Sequence, residues 1–114
     1  MAISFEAIGE RMVTFAAGSG LKAGKVCKMT ANGTVGPCGA DDSFCGVVSA
    51  IRDGAASVIM GGYVEVSYAG DTAPSLGYAV LAADENGEIV PATSGRTCLI
   101  VNVDAAGKKI GLFL

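Results

Sequence analysis

Residues 63–68 read Tyr63-Val64-Glu65-Val66-Ser67-Tyr68, a strict alternation that puts Val64, Val66 and Tyr68 on one side of an extended chain and Tyr63, Glu65 and Ser67 on the other. Period two with β-branched and aromatic residues is the pattern of a half-buried strand. The side carrying both valines is expected to face a core. Gly61-Gly62 stands immediately before this run, and it reads as a strand-to-strand corner.

Outward from this run, the rest of the chain repeats the same grammar. Short apolar runs lie at Arg11–Ala16, Lys25–Thr30, Thr34–Cys38, Phe44–Arg52, Ala55–Met60, Tyr78–Ala83, Glu88–Ala92, Thr97–Val103 and Lys108–Leu114. Ten strands at this spacing imply a barrel or sandwich. Asn32-Gly33, Asp53-Gly54 and Asn86-Gly87 separate pairs of runs, and each dipeptide suits a two-residue hairpin with positive φ angles. No window carries a 3.6-residue apolar period with caps, and the best helical candidates are single turns near 20–24 or 72–77. The expected fold is all-β: a small β-barrel or β-clip-like domain of short hairpins with little helix.

Shifted by 53 or 54 residues, the chain matches itself in order. Val13, Phe15 and Ala16 fall on Val66, Tyr68 and Ala69, and Gly24 on Gly77. Asn32-Gly33, Val35 and Pro37 fall on Asn86-Gly87, Ile89 and Pro91. Cys45, Val47, Val48, Gly54 and Ile59 then fall on Cys98, Ile100, Val101, Gly107 and Leu112. The pattern points to an internal pseudo-two-fold repeat of about 11–60 and 64–114 within one β domain, 11–114, preceded by an arm, 1–10. Neither half is large enough to be a domain by itself.

The composition excludes more chemistry than it suggests. The chain has 114 residues, 51% hydrophobic and 17% charged, with 17 glycines and no histidine or tryptophan. One domain fits this length, and a dinucleotide-binding or barrel-sized enzyme does not. Without histidine the commonest neutral-pH acid–base group and metal ligand are both absent. Eleven acidic and eight basic residues give a net charge of −3, so no general attraction for nucleic acid or anionic membranes is expected. Lys22, Lys25 and Lys28 read as a solvated strand edge. No apolar run approaches a membrane span, and the first ten residues lack the basic start of a secretory signal, so synthesis and retention in a cytoplasm are expected.

Each remaining candidate has a plain structural reading. Asp41-Asp42 and Asp84-Glu85 are paired carboxylates of the kind that hold a hard cation or share a proton, yet they fall in turns, where acids bond locally to the backbone. Ser19 lies between two glycines with no base to activate it. Cys27, Cys38, Cys45 and Cys98 form no CxxC pair and read as reduced core thiols, with a Cys38–Cys45 bridge or a nucleophilic cysteine as the alternatives. No neighbouring base or cation in the sequence supports the nucleophile. No catalytic residue, metal or cofactor is expected, and the chain reads as a non-enzyme.

The segment Met1–Glu10 places Ile3, Phe5 and Ile8 ahead of the first strand. It suits either an extra strand on its own sheet or an arm docked on a neighbour. The second reading makes Ile3, Phe5 and Ile8 the candidate partner-binding residues.

The run from Gly20 to Leu114 resembles the small phage capsid cement, or head decoration, proteins. The residues carrying the resemblance are Gly20-Leu21-Lys22-Ala23-Gly24-Lys25-Val26, Cys45-Gly46-Val47-Val48 before Asp53-Gly54, Gly62-Tyr63-Val64-Glu65-Val66, Leu76-Gly77-Tyr78-Ala79-Val80 and Lys109-Ile110-Gly111-Leu112-Phe113-Leu114. The resemblance implies a β-rich virion protein that binds the outer surface of an icosahedral capsid, with the major capsid protein and its own copies, as a homotrimer, for partners. It brings no catalytic residues. The alternative is a soluble small-ligand or carbohydrate-binding barrel, suggested by exposed Tyr63, Tyr68 and Tyr78.

Overall fold

The structure, a computed structural model, describes residues 11–114. It is all-β, with ten strands and no helix among the described residues. Strands β1 (Arg11–Ala17), β2 (Val26–Ala31), β3 (Thr34–Pro37), β4 (Gly46–Arg52) and β5 (Ala55–Gly61) form a closed barrel in the order β1-β3-β2-β4-β5. Strands β6 (Tyr63–Ser67), β7 (Gly77–Ala83), β8 (Ile89–Pro91), β9 (Arg96–Asp104) and β10 (Lys109–Phe113) form a second sheet in the order β6-β10-β9-β7-β8.

Both sheets have one plan. Read from β3, the barrel runs β3-β2-β4-β5-β1; read from β8, the second sheet runs β8-β7-β9-β10-β6. The parallel contact that closes the barrel, Ala17 opposite Val35, has its counterpart in the parallel bridge between Tyr68 and Ile89. Gly18 donates to the Val35 carbonyl at 2.7 Å, and Ala69 donates to that of Ile89 at 2.9 Å. Val47 faces Ile59 across β4 and β5, as Ile100 faces Leu112 across β9 and β10.

The turns divide more finely than their dipeptides suggest. Asp53 (φ 52°) and Gly54 (φ 78°) both take the left-handed conformation of a two-residue hairpin. At Asn32-Gly33 and Asn86-Gly87 only the glycine does so. In the latter turn the Asp84 carboxylate accepts the N–H groups of Asn86 (2.9 Å) and Glu88 (2.8 Å), which shapes the loop from its side. Phe44, expected within β4, precedes that strand and inserts into the core at 4% exposure.

Two apolar clusters hold these strands. The smaller fills the barrel with Cys27, Val35, Val48, Ala56 and Val58. The larger combines the inner face of the second sheet, including Leu81, Ile89, Ile100, Ile110 and Leu112, with Val26, Val47, Cys38 and Phe44 from the first half. Neighbouring residues split between them: Val26 goes to one and Cys27 to the other, Val47 to one and Val48 to the other. The wall made by β2 and β4 is therefore apolar on both sides, and the second sheet packs on its outer side. Val64, Val66 and Tyr68 all face the larger cluster.

Hydrogen bonds tie the halves along the same seam. Val26 donates to Gly87, Asp41 to Ala83, and Ala83 to Asp42, at 2.8–3.0 Å. The Arg96 guanidinium donates to the carbonyl oxygens of Cys45 and Met60, each at 3.1 Å.

Candidate interaction surface

The outer face of the second sheet carries an apolar row. Tyr63 on β6 faces Phe113 on β10, Phe113 faces Leu99 on β9, and Leu99 faces Tyr78 on β7. Their chain neighbours Val64, Leu112, Cys98, Ile100 and Ala79 point into the core, so these four share the opposite face. At about 4.8 Å between strands the row spans roughly 14 Å. The Tyr63 and Phe113 rings meet edge to face at 5.6 Å. Gly111 makes room for this arrangement, because a Cβ there would overlap the Tyr63 ring.

The two ends of the row differ. Tyr78 is 79% exposed, and Leu76 just before β7 is 66% exposed. At the other end Arg11, the first residue of β1, pairs with Gly61, two residues before Tyr63. The chain thus enters the barrel beside the β6 end of the row. Ile3, Phe5 and Ile8, the residues expected to bind a partner, lie outside the described residues.

The three-tyrosine surface expected for a ligand-binding barrel is not formed. Tyr68 follows Val64 and Val66 to the inner face and is 3% exposed, with the Lys108 ammonium 5.9 Å from its ring centroid. Tyr63 is half-buried, and Tyr78 alone stands out in solvent. A cleft of about 490 Å³ opens between the halves, with Lys22 and Lys25 on one wall and Glu85 and Glu88 on the other. Its charges are mixed. A second hollow, of about 560 Å³, lies under the loop 70–75 against Ala79 and Pro91.

The carboxylate pairs do turn chemistry. Asp42 binds the Lys28 ammonium at 2.5 Å and the Gly39 N–H at 2.7 Å, which lowers its pKa and raises that of Lys28. Lys28 is therefore an ion-pair partner, where the sequence alone reads it as a freely solvated lysine. No group of three metal-ligating side chains comes together among the described residues.

The close thiol pair is not the Cys38–Cys45 pair that the sequence suggests as a bridge. All four cysteines are free, and the close pair is Cys27 with Cys45, their sulfur atoms 3.9 Å apart. The Cys45 N–H donates to the Cys27 carbonyl at 2.8 Å, which locks the two backbones side by side. Cys45 also has a cation beside it, Arg96, supplied by a residue 51 positions away and invisible to local sequence reading. The hydrogen bond from Cys27, helped by a backbone hydrogen bond and, least, by the Arg96 charge, outweighs burial and lowers the Cys45 pKa to about 7. The same contact, together with burial, raises that of Cys27. Burial and the nearby Asp42 carboxylate push Cys38 up to about 11, and burial raises Cys98.

Comparison with family models and with curated proteins finds no match for this chain.

Proposed function

We propose that this chain is a structural phage virion protein that binds the outer surface of an icosahedral capsid and stabilises it, with the major capsid protein and further copies of itself as partners. The observation that carries this reading is the apolar row on the second sheet, which ends in Leu76 and Tyr78 in open solvent. Contiguous apolar surface of this kind marks an interaction site rather than a soluble face. The resemblance of residues 20–114 to the head decoration proteins supports it. The small rigid β scaffold and the net charge of −3 suit a protein that binds protein surfaces rather than nucleic acid.

A protein that binds only the assembled shell stabilises it by RT ln(1 + [L]/Kd) at each site, so many modest contacts add up over a capsid. Burying Leu76 and Tyr78 against a partner contributes about 1.5–3 kcal/mol for each side chain before ordering costs. Met1–Glu10 joins the fold at the opposite end of the row, and in this reading Ile3, Phe5 and Ile8 extend the contact onto a neighbouring subunit. Assembly as a homotrimer places three such surfaces around one axis.

The test is the copy number of this chain in density-purified particles from the source culture, measured by quantitative peptide mass spectrometry against the most abundant shell protein. A fixed, near-stoichiometric ratio is expected. Absence from the particles overturns the reading.

A further inference from the structure

We propose that Cys45 and Cys27 form an oxidation site, in which a peroxide oxidises Cys45 and Cys27 closes a disulfide between β2 and the start of β4. The pair has the required placement. The two sulfurs are 3.9 Å apart, and the Cys45 N–H bond to the Cys27 carbonyl holds the backbones in adjacent antiparallel register. Cys27 stands opposite Gly46 in the β2–β4 ladder, and Cys45 is the residue just before Gly46, so the backbones are adjacent and the sulfurs need to close by only about 2 Å to reach bonding distance. Both side chains belong to the barrel-side cluster, whereas Cys38 and Cys98 pack in the larger cluster across the wall.

The two cysteines differ in a way that orders the steps. Cys45 is partly exposed and Arg96 lies beside it, so an oxidant reaches it and its thiolate is stabilised. Cys27 is 0% exposed and its sulfur hydrogen-bonds with Cys45 and the Gly46 carbonyl, which suits a resolving thiol. In the first step the Cys45 thiolate attacks one oxygen of hydrogen peroxide. The O–O bond breaks, hydroxide leaves and takes up a proton, and Cys45 becomes a sulfenic acid. In the second the Cys27 sulfur, giving up its proton, attacks the Cys45 sulfur, and the S–O bond breaks to release water. Two thiols lose two electrons and two protons in total, and one peroxide becomes two waters.

The experiment treats the fully reduced full-length chain with a small excess of hydrogen peroxide near neutral pH, followed by thiol counting and peptide mapping without reductant. The expected result is loss of two of the four thiols, a mass decrease of two hydrogens, and one linked pair of peptides containing Cys27 and Cys45. Dithiothreitol restores both thiols. The linked form melts several degrees higher, since a cross-link restricts the unfolded chain. The same link forms in Cys38→Ser and Cys98→Ser and is lost in Cys45→Ser. Four thiols surviving treatment, a link through Cys38 or Cys98, or a link between two chains each overturns the proposal. The map of the unaltered protein decides the matter even where a variant fails to fold.

Discussion

The Arg96 guanidinium donates to the carbonyl oxygen of Cys45 at 3.1 Å, and this bond links the first residue of β9 to the entry of β4 in the other half. A second bond from the same group reaches Met60, at 3.1 Å. One side chain therefore satisfies two backbone acceptors at the seam between the barrel and the second sheet.

Replacing Arg96 by alanine leaves both acceptors without their donor. The expected loss is about 2–3 kcal/mol, read by urea unfolding. Arg96→Lys recovers only part of it, because an ammonium cannot reproduce the planar fork that spans both oxygens. Equal stability of the alanine variant and the original would show that water replaces the bonds without cost.

Cys45 is expected to be the first of the four thiols to react with iodoacetamide at pH 7. Its lowered pKa of about 7 means that the thiolate population, and the labelling rate, rises through neutrality and levels off above it. Arg96→Gln removes a stabilising charge and shifts that rise to higher pH. Faster labelling of Cys38 or Cys98 would contradict the arrangement.

Two glycines separate backbone strain from crowding. Gly54 (φ 78°) has nothing within 4 Å of the position a Cβ would occupy, so Gly54→Ala is expected to cost only the left-handed conformation, about 1–2 kcal/mol. At Gly87 (φ 76°) a Cβ would also lie 2.8 Å from the Lys25 Cβ. Gly87→Ala is expected to cost roughly 1 kcal/mol more, because the new methyl pushes on the contact between the halves. Differential unfolding of the two variants measures the difference.

The Asp42–Lys28 pair predicts an acid limb to stability. The Asp42 pKa lies below the ordinary 3.8, lowered by the Lys28 hydrogen bond and then by the Gly39 N–H. A carboxylate with a depressed folded pKa stabilises the fold above its unfolded value and loses that contribution as pH falls through the folded one. Thermal melts are therefore expected to drop more steeply below about pH 4 in the original than in Asp42→Asn. Identical slopes would exclude the pair as a contributor.

Tyr78→Ser tests the interaction surface without touching the core. With the side chain 79% exposed, the change in unfolding free energy is expected to stay within about 0.5 kcal/mol. Binding to purified capsids is expected to weaken by an order of magnitude or more. Unchanged capsid binding would remove the row's open end from the interface.

The strands were legible because their signals are local. Val64, Val66 and Tyr68 declare one face by period two alone, and Asp53-Gly54 declares its turn through the φ angles two residues adopt. The self-match of 53 residues placed Val47 on Ile100 and Ile59 on Leu112, and in the structure Val47 faces Ile59 across one strand pair as Ile100 faces Leu112 across the other. The candidate sites were less legible. The sequence offered Tyr63, Tyr68 and Tyr78 as one exposed set, although alternation sends Tyr68 with the valines to the interior. It offered Cys38 as the partner of Cys45 by proximity along the chain, whereas the barrel order brings Cys27 alongside.

Taken alone, the sequence determined an all-β chain of ten short strands, their hairpins and the doubling of one strand plan, because alternation and turn chemistry act over a few residues. Tertiary structure alone decided that Val26 and Cys27 serve different cores, that Arg96 reaches Cys45, and that Leu76 and Tyr78 stand open beyond a half-buried row. These depend on how one sheet packs against the wall of the other, through contacts such as Arg96 with Cys45 and Val26 with Gly87 between residues far apart in the chain, which no local pattern encodes.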